Sequence, residues 1–259
     1  VSTLPRNESD ETAQESWTER RLWDVWSEHY DGSFLGTTEP GEMVSRLSSL
    51  AWDQTALELG VGTGRVALPL ARTGVTVDGI EFSGPMAKKL QAKVQDLPVV
   101  VINGDMADRH DMGHSYSLVY AVHSALHLLQ TQHDQVRCLM NAADALKAGG
   151  HLVVESVHPQ VFAGPLRGKN IKIRNLTDSE LALSATVVDT AQQTVRFQEI
   201  SFGDNGTRML PCHIRWIWPS ELDLMASMAG LKRISRDADW HGGAVTPEST
   251  QYVCVYQKE

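Results

Sequence analysis

The stretch Thr55-Ala56-Leu57-Glu58-Leu59-Gly60-Val61-Gly62-Thr63-Gly64-Arg65 decides the fold. Its first half reads as a buried strand. Its glycines permit positive φ and let a ligand approach the backbone closely. A helix from about Arg65 to Arg72 follows, and Gly74 ends it. Strand, glycine turn and helix in this order open an α/β unit with a ligand-binding turn. The spacing departs from the dinucleotide fingerprint G-x-G-x-x-G, because the third glycine comes one residue early and Arg65 stands in its place. A dinucleotide enzyme brings this turn to a pyrophosphate. The E-x-G-x-G-x-G form suits a ligand without phosphates, and Glu58 is expected to accept from a positively charged amino group.

The same rhythm continues towards the C-terminus. Residues 75–80, 98–102, 116–122 and 151–155 read as strands two to five. Ser83-Gly84-Pro85 opens a helix, with Ser83 as N-cap and Pro85 in the first turn. Thr131 and Asp134 form a capping box for a helix carrying Val136, Leu139, Met140, Ala143 and Leu146, which Gly149-Gly150 stops. Strands alternating with helices predict an α/β fold, a doubly wound, mostly parallel sheet covered on both faces. The alternation breaks over residues 171–218. Runs at 181–188, 194–202 and 209–218 are separated by turn-forming residues, and they predict an inserted antiparallel β meander. A helix starting at Pro219 and strands at 231–235 and 252–256 follow. Towards the N-terminus, residues 1–15 read as a disordered tail and 16–50 as a helical lid bearing Trp17, Trp23 and Trp26. The expected organisation is a core of residues 51–160 and 219–259 with a cover at 161–218.

Composition narrows the function. The 259 residues are 42% hydrophobic and 21% charged, which excludes bulk disorder. With 23 Lys+Arg against 32 Asp+Glu the net charge is −9, a poor balance for a face making many phosphate contacts, so no nucleic-acid partner is expected. No apolar run is long enough to span a membrane, and the opening residues carry no apolar signal core. A cytoplasmic protein without a membrane partner is expected. Cys138, Cys212 and Cys254 lie far apart and read as buried thiols. The sequence leaves formation of a homo-oligomer open.

Two further strand ends carry chemistry. Glu81 ends strand two, 21 residues after Gly60, where an acid accepts from a ribose diol. Phe82 beside it can cover one face of an adenine. Strand three ends in Asn103-Gly104-Asp105-Met106. There Asp105 can accept from an adenine amino group, and Met106 can supply apolar packing and its backbone N–H.

These three sites, in this order, resemble the class I S-adenosylmethionine-dependent methyltransferases. The likeness runs from about Tyr30 to Glu155 and resumes at Trp218. It implies a Rossmann-like sheet of seven strands whose last strand is antiparallel, and a pocket for S-adenosylmethionine (SAM) at the C-terminal edge of the sheet. Val122, Trp23 and Tyr30 join Gly60, Gly62 and Gly64 in the expected cofactor set, with Tyr30 reaching the methionine part. The chain is more particularly similar to small bacterial natural-product methyltransferases of the amino-sugar and lincosamide type. They share an N-terminal aromatic helix, an inserted antiparallel cover and a segment like Arg215-Trp-Ile-Trp-Pro-Ser-Glu-Leu222. Amino-sugar members carry a His-Leu pair after strand four, matched by His127-Leu128; lincosamide-type members tend to have Phe-Asn where this chain has His123-Ser124.

The histidines suggest the acceptor end. His123 and His127 are four residues apart, so a helical turn would present both on one face, as general base or acceptor contact. His158, His213, Arg215 and Trp216 are expected to bind the acceptor, a small molecule. No metal is expected, since no carboxylate or cysteine set accompanies the histidines. Transfer to nitrogen in secondary-metabolite or antibiotic biosynthesis is the leading expectation. Transfer to oxygen with His127 or His123 as base is the alternative. A catalytically silent SAM-binding scaffold is the reading from another class.

Overall fold

The computed structural model describes residues 21–32, 40–163, 168–204 and 206–259. The tail expected at 1–15 and the first part of the lid lie outside them. Helix α1 covers residues 21–27 and leads into a 3-10 turn, Tyr30–Gly32. There follow α2 (Gly41–Leu50), β1 (Thr55–Leu59), α3 (Ala67–Arg72), β2 (Thr76–Glu81), α4 (Gly84–Val94), β3 (Val99–Asn103), β4 (Tyr116–Ala121), α5 (Gln132–Ala145) and β5 (Leu146–Val157). A four-stranded meander comes next: β6 (Gly168–Leu176), β7 (Glu180–Asp189), β8 (Thr194–Gly203) and β9 (Gly206–Arg215). Helix α6 (Pro219–Met228), β10 (Leu231–Asp237) and β11 (Gln251–Lys258) complete the chain.

The seven-stranded sheet runs β10-β11-β5-β4-β1-β2-β3. Strand β11 is antiparallel to both neighbours, and β2, β1, β4 and β5 pair in parallel. Parallel strands sandwiched between helices must be apolar on both faces, and β4 shows it. Val119 and Ala121 pack into the core on one side, Leu118 and Tyr120 into the core on the other. Helix starts follow their caps. The Ser83 hydroxyl accepts from the Met86 N–H at 3.4 Å, and Thr131 from the Asp134 N–H at 3.0 Å.

Two expectations are corrected. The meander has four strands, not three: β6 escaped notice because Lys169-Asn170-Ile171-Lys172-Ile173-Arg174 is an edge strand with Ile171 76% exposed, so no buried face marks it. Leu146 opens β5 rather than closing α5, and Gly149-Gly150 lies within the strand. Gly149 takes φ 75° there, and a side chain on Gly150 would meet the Lys147 carbonyl at 2.9 Å.

Candidate active site

The sheet order reverses between β1 and β4, and ligands of open α/β sheets bind beyond the carboxyl ends at such a point. A cavity of about 910 Å³ lies there. Gly60 and Gly62 after β1, Glu81 and Phe82 at β2, Asp105 and Met106 after β3, and Val122 to Ala125 after β4 line its floor. Trp23, Trp26 and Tyr30 close one side, and Phe197, Cys212, His213 and Ile214 of β8 and β9 the other.

Each floor group is held by the chain around it. Gly60 and Gly62 have φ of 76° and 57°, which glycine adopts without strain. The Glu81 carboxylate is buried and accepts the Gly62 and Ser83 N–H groups, each at 2.7 Å. Burial raises its pKa and those N–H bonds oppose the rise. Asp105 accepts from the Ala107 N–H at 2.8 Å, and burial raises its pKa as well. Nothing stands within 4 Å of where a Gly62 side chain would be, and Ile80, Phe82 and Met106 form apolar walls nearby. An acid for a diol beside an apolar slot fits an adenosine group.

The aromatic helix is strapped across the floor. Trp26 is buried and donates from Nε1 to the Pro211 carbonyl of β9 at 2.7 Å. The Ser83 hydroxyl donates to Asp24 at 2.6 Å, and Asp31 receives the Thr63 hydroxyl at 2.6 Å and Lys93 at 2.7 Å. The segment thus joins the glycine turn, α4 and the meander above the cavity. Ligand filling the space beneath should tighten it. Hydrogen exchange across residues 21–32 is expected to slow when SAM is added, and equal protection with and without it would count against a lid.

Six expected site residues do not line the cavity. Glu58 lies below the glycine turn and receives the Tyr120 hydroxyl at 2.9 Å; burial lifts its pKa to about 8. Gly64 takes φ 87° with Leu90 and Leu68 against it, so it serves the packing of α3 on α4. His158 stands edge-on to Trp218 and Tyr252, with ring centres 6.0 and 6.1 Å away. Arg215 donates to Gln135 at 2.6 Å and pairs with Glu221 at 2.9 Å. Trp216 is buried and stacks behind Phe162, which itself lines the cavity.

His127 is the sixth and differs most from expectation. It is fully buried, and its Nε2 accepts the Ile217 N–H at 3.2 Å. That bond puts the proton of the neutral ring on Nδ1, which has no hydrogen-bond partner among the described residues. Burial, with Arg215 second, pushes its pKa down to about 3. The ring therefore stays neutral in the fold while an unfolded chain protonates it below about pH 6.5. Between there and pH 3 the unfolded state binds more protons, so this group's effect is to lower stability as pH falls, by up to ~1.4 kcal/mol per unit. Unfolding free energies of the wild type and of His127→Leu, measured across that range, should differ by this slope.

His123 does line the cavity, and burial lowers its pKa to about 4. His213 lines it from β9. The sequence reading missed Met86, Gln130, Phe162, Phe197, Cys212 and Ile214, all in the lining. The signal for three of them was present, since the register places Phe197 opposite Cys212 and Val195 opposite Ile214, but it becomes legible only when β8 and β9 are paired. Among the described residues no group of three His, Cys, Asp or Glu side chains is placed to hold a metal ion. No described helix is long and apolar enough to cross a membrane.

Known proteins share this arrangement. The family described as a methyltransferase domain matches residues 56–150. The CcbJ methyltransferase from Streptomyces caelestis superposes with a TM-score of 0.86 at 34% identity, over 93% of this chain and 98% of that one. The chain belongs to the SAM-dependent methyltransferases. Among curated sequences, this methyltransferase is 26% identical over 211 residues to the cypemycin N-terminal methyltransferase of a Streptomyces species, covering 80% of this chain and 84% of that protein. SAM-bound CalS10, an amino pentose methyltransferase from Micromonospora echinaspora, superposes with a TM-score of 0.65 at 16% identity, over all of both chains, a likeness of fold. The methyl donor is SAM, which becomes S-adenosylhomocysteine.

Proposed function

We propose that this methyltransferase transfers the methyl group to a nitrogen of a small molecule in cytoplasmic natural-product biosynthesis. In this reading Glu81 accepts the ribose hydroxyls, Phe82 and Met106 sandwich the adenine, and Asp105 accepts from its amino group. Tyr30 and Trp23 cover the methionine part. Bound SAM supplies an electrophilic methyl on a sulfonium, and its leaving group is neutral and needs no acid. The chain must align the nucleophile in line with that carbon and keep water out. Trp23, Trp26, Phe162 and Phe197 provide the dry wall.

One observation carries the preference for nitrogen. Of the two histidines after β4, His127 faces away from the cavity, and burial lowers the pKa of His123 to about 4, which disfavours it as a base for a hydroxyl. An amine needs less, because its lone pair attacks once the proton is lost, and a buried site favours the neutral form. The related cypemycin enzyme is an N-terminal methyltransferase, so its acceptor is a nitrogen. Oxygen transfer keeps one specific support, His213, which lines the cavity from the opposite side.

Labelled SAM offered with a panel of small amines and phenols tests this. Label is expected in amines, with a pH limb that tracks each amine's own pKa. Label confined to phenols, with a loss of ~10²–10⁴-fold in His213→Ala, would establish the oxygen reading. No turnover with any acceptor would favour a silent scaffold.

A further inference from the structure

The chain turns sharply where β4 meets the cavity. His123 and Ser124 have φ of 54° and 60°, two left-handed residues in succession and neither a glycine. Such backbone persists only where the surroundings over-determine it. Here β5 does so with three hydrogen bonds. The His123 N–H donates to Glu155 Oε2 at 2.5 Å, the Ser124 N–H to the Glu155 carbonyl at 3.1 Å, and the Val157 N–H to the Ser124 hydroxyl at 2.9 Å. His123, Ser124, Ala125 and Val157 line the cavity, whereas Glu155 does not.

Glu155 is an unusual residue for its place. It follows Val153 and Val154 in an inner strand and is 6% exposed. Burial pushes its pKa up to about 7, opposed by the His123 N–H and by Arg65. A carboxylate in such a place costs free energy unless it is well bonded. Its partner is the N–H of the residue whose ring enters the cavity, and that ring's Nδ1 stands 4.0 Å from the same oxygen.

We infer that Glu155 is a positioning residue: its carboxylate fixes the left-handed turn at His123-Ser124 and so sets where the His123 ring stands at the acceptor end. The inference rests on the reading that the acceptor occupies that end. It makes reach, rather than charge, the property required at position 155. Gln keeps a carbonyl oxygen at the same distance from the backbone. Asp keeps the charge but is one methylene shorter.

The test uses the whole protein with labelled histidine and bound S-adenosylhomocysteine, the His123 signal being assigned by its loss in His123→Gly. In Glu155→Gln the His123 ring resonances should stay in place. In Glu155→Asp and Glu155→Ala they should shift and broaden. Affinity for S-adenosylhomocysteine should hold throughout, because the groups proposed to hold its ribose and adenine stand at the ends of β1 to β3. With any amine that the panel delivers, single-turnover rates should fall at least about tenfold in the Asp and Ala variants, as misplacement costs rate steeply. In a His123→Gly background Glu155→Ala should add less than about twofold, because glycine takes the turn unaided. Ring signals unmoved in the Asp variant would overturn the inference. So would a retained Asp signal with a displaced Gln signal, or losses that multiply in the double variant. Should the Ala variant not fold, the Asp and Gln pair decides. If no acceptor turns over, the methyl-transfer reading of this end falls, while the ring signals still decide the positioning role.

Discussion

Glu81→Ala is expected to weaken binding of S-adenosylhomocysteine at least about tenfold. The carboxylate is buried at the cavity floor, and its two oxygens already hold the Gly62 and Ser83 N–H groups at 2.7 Å. Each oxygen has a further lone pair for a ribose hydroxyl. Hydrogen bonds to a charged group contribute ~1.5–3 kcal/mol each, and 1.4 kcal/mol is tenfold in affinity. Alanine would also remove the Gly62 tie to the end of β2, leaving the Gly60 and Val61 N–H bonds to the Ile80 carbonyl to hold the turn. Glu81→Gln should lose less, since one oxygen remains to accept. Titration calorimetry decides it: unchanged affinity in the alanine variant would sink the diol assignment, as would tighter binding of NAD than of SAM.

His127→Ala should cost stability and leave chemistry nearly intact. The substitution strips the Ile217 N–H of its acceptor inside the core and leaves a void where a ring was packed. Together these should cost about 3 kcal/mol. For a chain of this size that is a fall of roughly 6–12 °C in Tm. The single-turnover rate, measured well below the new midpoint, should change by less than about threefold, because the ring does not reach the cavity. A hundredfold loss of rate with the midpoint unchanged would restore His127 as the base.

That pair of predictions marks what could be read from the chain and what could not. The cavity floor was legible because each part is local: a glycine turn, an acid closing β2 and an Asp-Met pair after β3 sit where parallel strands end. The core strands were legible for a similar reason, since burial on both faces leaves an apolar run in the sequence. The acceptor end is made by folding back. Helical spacing suggested that His123 and His127 share a face, but residues 123 and 124 are left-handed, and this rotates one ring into the cavity and the other into the core. Arg215 and Trp216 looked like a binding strip, yet their partners, Gln135 and Phe162, are distant in sequence and could not be foreseen. The exposed edge strand β6 lacked the contrast between faces that a strand needs to be seen.

The meander is a sheet of its own. Among the described residues, strands β6 to β9 pair with one another and not with the seven-stranded sheet, and they lie in sequence between β5 and α6. They meet the core through side chains and a few single bonds, such as Trp26 to Pro211 and Gln130 to the His213 carbonyl. A substitution on β8 or β9 can therefore reshape one wall without shifting the pairing that sets Glu81 or Asp105. In the proposed reading, donor and acceptor recognition are thus free to evolve at different rates, and a meander grafted from a related enzyme is a natural unit of exchange.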